Sequence, residues 1–137
     1  MTRSIRFPAV AAASATLLLA SLTATCVSAA TNAPAAPAEV QVVSGVLAGQ
    51  NGMTLYTFDK DVAGSGKSMC NGPCATNWPP LLAGQVAPSG DYSVITRDDG
   101  QRQIAYKGKP LYFWTKDMKP GDTTGNGFNN VWHTATP

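Results

Sequence analysis

An internal repeat constrains this chain more than any other feature. Thr54-Leu55-Tyr56-Thr57-Phe58-Asp59-Lys60-Asp61 returns as Pro110-Leu111-Tyr112-Phe113-Trp114-Thr115-Lys116-Asp117, with Leu, Tyr, an aromatic, Lys and Asp in register. Each copy runs on into a Gly-rich stretch that ends in a tryptophan, Gly64 to Trp78 in the first and Gly121 to Trp132 in the second. A unit of roughly 40 residues is too small to bury a hydrophobic face alone, so two such units must share one core.

The residues inside the repeat specify strands. Side chains two apart in a strand share a face, so Tyr56 lies with Phe58 and Tyr112 with Trp114, while Leu55 and Leu111 point the other way. The rings are expected to fill the core between the repeats, with Asp61 and Asp117 accepting backbone N–H bonds in the Gly-rich turns that follow. The competing reading is an exposed aromatic platform for a sugar or another flat ligand, and the exposure of Trp114 separates the two. Asn-Gly in Gly49-Gln50-Asn51-Gly52 and Asp-Gly in Asp98-Asp99-Gly100 lie between β-prone runs, where tight hairpin turns need positive φ. The pattern predicts strands near Val40 to Leu47, Met53 to Phe58, Tyr92 to Arg97, Gln103 to Tyr106 and Leu111 to Thr115. One helical turn is expected from Cys74 to Trp78, after Pro73. The fold class is therefore all-β: a small domain of two pseudo-symmetric β repeats with Gly-rich loops and at most short helical turns.

The chain has 137 residues, and its first 29 do not read as part of that domain. Arg3 and Arg6, then a short Ala/Leu run, then Val27-Ser28-Ala29 follow the charge, apolar and small-residue order of a secretory leader, so residues 1–29 are read as a signal peptide. The apolar run is shorter than the roughly 20 residues that span a bilayer, and no transmembrane helix is expected in the mature chain. Cys26 is a candidate lipid-anchor position, although Thr25 stands where a small Gly or Ala is expected. Residues 30–39 form an Ala/Pro-rich tether with nothing to bury. The two-repeat domain then covers 40–137, with repeat 1 at about 43–82 and repeat 2 at about 92–133. Loss of Arg3 and Arg6 leaves eight basic against eight acidic residues, from totals of 10 and 8. Such a neutral surface argues against nucleic acid, which requires clustered cations to displace counterions.

Cys70 and Cys74 are the cysteines that remain after the leader, and a pair in an oxidising compartment is expected to close as a disulfide. The alternative is a copper-type metal centre or thiol redox pair, with His133 and a methionine such as Met69 or Met118 adding soft ligands. Gly64-Ser65-Gly66-Lys67-Ser68 resembles the end of a phosphate-binding loop but lacks its first glycine, where Asp61 stands, and its following helix. His133, the single histidine, has no local nucleophile beside it. Asp59, Asp61, Asp117 and Asp122 do not have the spacing of a calcium loop. No catalytic constellation is found, no cofactor is implied, and the partner is not specified.

TLYTFDKD, GKSMCNGPCATNWPPLL and AYKGKPLYFWTKDMKPGDTTGNG with the late Trp132 together resemble a bacterial secreted repeat family. Its members are described as predicted lipoproteins with a Tyr-x-[Phe/Trp/Tyr]-x-x-Asp motif, here Tyr56, Phe58, Asp61 and Tyr112, Trp114, Asp117. The resemblance runs from about Val43 to Trp132 and implies an exported, periplasmic or extracellular envelope protein without an assigned biochemical role. The expectation is a structural, binding or accessory protein; the alternative is a metal-linked or thiol redox protein using Cys70 and Cys74.

Overall fold

The computed structural model describes residues 39–85 and 87–137. The leader, Cys26 and the tether up to residue 38 lie outside the described residues. Seven short strands are present among them: β1 (Val40–Val43), β2 (Val46–Gly49), β3 (Tyr56–Phe58), β4 (Tyr92–Thr96), β5 (Arg102–Tyr106), β6 (Lys109–Pro110) and β7 (Trp132–Thr134). A single helical turn, α1 (Pro73–Asn77), and a 3₁₀ turn at Phe128–Asn130 complete the inventory. This is a small all-β domain of two repeats.

Three departures from the sequence pattern have physical causes. The run expected as one strand from Val40 to Leu47 is a hairpin, because Ser44 (φ 50°) and Gly45 (φ 82°) both adopt left-handed backbone and form a two-residue turn that matches strand twist. Residues 111–115 do not form a regular strand: Tyr112 bridges to Tyr56 on one side and to Pro80 on the other. β7 was not expected, and it pairs antiparallel with β3, Tyr56 opposite Thr134 and Phe58 opposite Trp132. The Asp98-Asp99-Gly100 turn joins β4 to β5 as its Asp-Gly pair suggests, and α1 begins on Pro73.

The repeats are joined by exchange of their last strands. Leu47 N–H donates to Ala135 (2.8 Å), Ala135 N–H to Leu55 (2.8 Å) and Leu55 N–H to Leu47 (2.8 Å), a closed ring of three backbone bonds. The second repeat has the same ring: Ile104 N–H to Leu81 (2.9 Å), Leu81 N–H to Leu111 (2.9 Å) and Leu111 N–H to Ile104 (3.0 Å). Ala135 comes from the end of repeat 2 and closes the ring of repeat 1; Leu81 comes from the end of repeat 1 and closes the ring of repeat 2. At the pseudo-twofold axis, Tyr56 N–H donates to Tyr112 (2.8 Å) and Tyr112 N–H returns to Tyr56 (3.0 Å).

Alternation along these segments divides the interior in two. Leu47, Leu55, Leu81, Ile104, Leu111 and Ala135 belong to an aliphatic cluster, whereas Tyr56, Phe58, Trp78, Tyr112, Trp114 and Trp132 form an aromatic one. The ring atoms of the backbone are thus sheathed by apolar side chains that exclude water. A chain ending at Trp132 keeps the aromatic cluster and loses the exchanged strand, leaving Leu47 N–H and Leu55 C=O unpaired. Each orphaned buried group costs about 1–3 kcal/mol, against total stabilities of about 5–15 kcal/mol for a domain. The expected outcome is a large drop in the urea midpoint followed by tryptophan fluorescence; a wild-type midpoint would show that the exchanged strand is dispensable.

Candidate functional site

Each repeat motif is completed by the other. The phenol of Tyr56 donates to Asp117 Oδ2 at 2.6 Å and that of Tyr112 donates to Asp61 Oδ2 at 2.5 Å. The bend that brings each carboxylate back follows from the motif itself, since Asp61 N–H bonds to Phe58 C=O (3.0 Å) and Asp117 N–H to Trp114 C=O (3.1 Å). The remaining carboxylate oxygens hold the Gly-rich loops: Asp61 Oδ1 accepts from Met69 N–H (2.6 Å), and Asp117 Oδ1 from the N–H (3.0 Å) and hydroxyl (2.5 Å) of Thr124. Asp61 and Asp117 are only 2% and 6% exposed, so these bonds compensate for desolvation and are not surface decoration.

The aromatic residues form one continuous stack across the pseudo-twofold. Phe58 lies on Trp132 (4.3 Å between centroids), Trp132 on Trp78 (3.8 Å, 4° between planes) and Trp78 on Trp114 (3.9 Å). Tyr56 and Tyr112 meet the stack edge-on, against Trp78 (5.4 Å) and Trp132 (5.2 Å) respectively. Edge-to-face and offset pairs add about 0.5–1.5 kcal/mol each beyond area burial. Gly125 permits the approach: a Cβ there would lie 2.7 Å from Trp78 Cη2. Trp114 is 5% exposed, which removes the aromatic-platform reading.

The two halves differ in how the phenol oxygen is satisfied, and here sequence reasoning missed a buried cation. Gly125 N–H donates to the Tyr56 hydroxyl (3.3 Å). At Tyr112 a polar chain takes that place: Arg97 Nη1 donates to Ser68 Oγ (2.9 Å), and the Ser68 hydroxyl contacts the Tyr112 hydroxyl (2.7 Å), which donates onward to Asp61. Arg97, 3% exposed, also donates to Gln103 Oε1 (2.8 Å) and to Cys70 C=O (2.6 Å). A cationic guanidinium and a carboxylate are thus linked through two hydroxyls in the interior. Nothing in the local sequence marks Arg97, which precedes a turn and reads as a solvated flank.

Cys70 and Cys74 form a disulfide that ties the loop before α1 to the second residue of that helix. Cys70 is fully buried in the aromatic cluster, and its carbonyl anchors Arg97, so the staple fixes both networks. His133 Nε2 lies 2.8 Å from Asp59 Oδ2 at the surface, and the two sulfurs are bonded to each other. Among the described residues, no group of three or more His, Cys, Asp or Glu side chains is placed to hold a metal ion. Met69 and Met118 are exposed.

Burial pushes the phenols of Tyr56 and Tyr112 far above the ordinary tyrosine value, and their bonds to Asp117 and Asp61 push the same way. Burial also raises Asp61, opposed by its bonds from Tyr112 and Met69. A phenol whose folded pKa lies above the unfolded value of 10.0 contributes stability that is complete below that pH and is lost as pH rises past it. The expected loss is about 1.4 kcal/mol per pH unit for each of the two phenols. Tyrosinate absorbance should therefore show Tyr56 and Tyr112 ionising only as the chain unfolds. Tyr112→Phe, which leaves one oxygen of the buried Asp61 carboxylate without its donor, should cost about 1–3 kcal/mol at neutral pH in urea unfolding and reduce the alkaline slope. Reduction of the disulfide, which closes a very short loop, should lower stability by about 2 kcal/mol in the same measurement.

A family described as a secreted repeat of unknown function matches residues 42–82 and 93–136. Neither a curated protein nor a solved structure matches the chain. The two matched segments coincide with the two motif-bearing units that exchange strands, and together they cover more than half of the sequence. The chain belongs to this family of secreted repeats of unknown function.

Proposed function

We infer that this exported protein is a non-catalytic structural, binding or accessory component of the cell envelope. The observation that carries this reading is that Tyr56, Phe58, Asp61, Tyr112, Trp114 and Asp117 are all buried and bonded or stacked with one another. The most distinctive residues of the chain are committed to the fold, so a motif repeated for its chemistry on a substrate would have to be accessible and is not. Export by the leader at residues 1–29 to the periplasm or the exterior agrees with the secreted family and with a disulfide at Cys70 and Cys74, which persists in an oxidising compartment. No helix among the described residues is long and apolar enough to cross a membrane.

The metal-linked or thiol redox alternative makes different demands on the same cysteines. Native and denaturing mass spectrometry of the protein purified from the envelope fraction of its own host separates the two readings. The expected species lacks residues 1–29, is lighter than its reduced form by the two thiol hydrogens, and carries no metal. Copper retained in stoichiometric amount, or a pair isolated as free thiols, would reverse the assignment. A diacylglyceryl mass on Cys26 would place the chain on a membrane surface and lengthen its tether accordingly.

A further inference from the structure

Besides the unequal bonding of the two phenols, side chains break the pseudo-twofold at a second place, and there the break is a cavity. In the closed half, the Phe113 ring lies against Gly49 so tightly that a Cβ there would be 2.7 Å from it. The register of the two repeats makes Thr57 the counterpart of Phe113 and Tyr106 the counterpart of Gly49, since Ala48 bridges Thr54 as Ala105 pairs with Pro110. Pro80 and Leu82 in the closed half correspond to Thr134 and Thr136. In the open half, Thr57, Tyr106, Lys107, Lys109, Thr134 and Thr136 line a cavity of about 270 Å³. Phe113 fills this place in one half; in the other it is open, and its lining mixes apolar surface, including Ala135, with ammonium and hydroxyl groups.

Those polar groups are little used within the fold. Among the described residues, no carboxylate lies within ion-pairing distance of Lys107 or Lys109, and the hydroxyls of Thr57, Thr134 and Thr136 have no hydrogen-bond partner. The charge of Lys109 is felt at Asp61, but that carboxylate is already bonded to Tyr112 and Met69. Lys107 Nζ sits 5.0 Å over the Tyr106 ring, and Lys107-Gly108 (φ 48° and 81°) form the two-residue turn between β5 and β6, with the same geometry as Ser44-Gly45.

We propose that this cavity binds an anionic monosaccharide, which deepens and rests on the reading of the chain as a binding module. Two ammonium groups call for a negative charge, and three hydroxyls that both donate and accept call for a hydroxylated partner. Tyr106, packed against Tyr92 and under Lys107 Nζ, contributes with Ala135 the apolar part of the lining, suited to sugar C–H groups. The volume lies just under the roughly 300–1,000 Å³ of drug-sized pockets, which restricts the occupant to a single ring. The negative charge can come from a carboxylate or a phosphate on the sugar.

Amide NMR titration of the purified protein with glucuronate, a glucose phosphate and neutral glucose tests the site. Either anionic sugar should shift the amides of residues 107–109 and 134–136 saturably, and which one binds more tightly identifies the charged group; glucose should bind at least about tenfold more weakly. Thr57→Phe, which copies the closed half, should abolish the shifts, and Lys107→Asn, which suits a positive φ, should weaken binding about tenfold. Near-UV circular dichroism of the tryptophan stack confirms that both variants fold. Absence of saturable shifts with either anion, equal binding of glucose, or unchanged binding by Thr57→Phe would overturn the proposal. Conversion of a bound sugar into new ligand signals would keep the cavity as a binding site and overturn the non-catalytic reading instead.

Discussion

Everything in this fold depends on two carboxylates buried where neither repeat can satisfy them alone. A desolvated carboxylate must be given donors, and one oxygen of each is met from the other repeat, Asp61 by the phenol of Tyr112 and Asp117 by that of Tyr56. An isolated repeat would hold an unpaired tyrosine hydroxyl and a carboxylate bonded only to its own Gly-rich loop, so the motif makes sense only as a pair. This explains why tyrosine is required at the first motif position, although phenylalanine would supply the same ring to the core. It also explains the spacing: the Asp must follow the second aromatic by enough residues to form a turn, bonding its own N–H back to Phe58 or Trp114 before its side chain crosses to the partner.

Backbone exchange and ring stacking reinforce the same pairing. The segment after each tryptophan crosses over to close the other repeat's ring of hydrogen bonds, and this crossing places Trp78 and Trp132 face to face on the axis. The stack extends outwards to Phe58 and Trp114, which occupy equivalent motif positions. Loss of one repeat would therefore remove a strand, half of an aromatic stack and both acid partners together. Units coupled this tightly are expected to fold and unfold as one cooperative body.

The amount of this that could be read from sequence follows from what kind of signal each feature leaves. The repeat, the alternation of Leu55 against Tyr56 and Phe58, and the Asp-Gly turn before β5 are local patterns, and the all-β class was legible from them. The Ser44-Gly45 turn was legible in principle, being a Gly-containing pair between apolar runs, but Val40 to Leu47 reads equally well as one extended segment. Strand β7 was not legible, because Trp132-His133-Thr134 is short and its partner Tyr56-Thr57-Phe58 lies more than seventy positions away. The crossed choice of acid could not be read either: Asp61 is five residues from Tyr56 and fifty-one from Tyr112, and only the exchange of strands makes the distant tyrosine the near one. Arg97 escaped notice for the same reason, since its burial is created by Ser68, Cys70 and Gln103 arriving from elsewhere.

The division between symmetric and asymmetric positions bears on where activity can reside in such a chain. Positions that the pseudo-twofold holds alike are those whose side chains meet across it, and their identities are dictated by mutual packing. Asymmetry is tolerated only where a side chain does not face its own counterpart, as with Phe113 on Gly49 against Thr57 beside Tyr106. Filling both of these places with apolar side chains would bury more surface and stabilise the domain. Leaving one of them open, lined by ammonium and hydroxyl groups that form no ion pair or side-chain hydrogen bond among the described residues, forgoes that burial, which is the pattern of a site kept for something outside the chain.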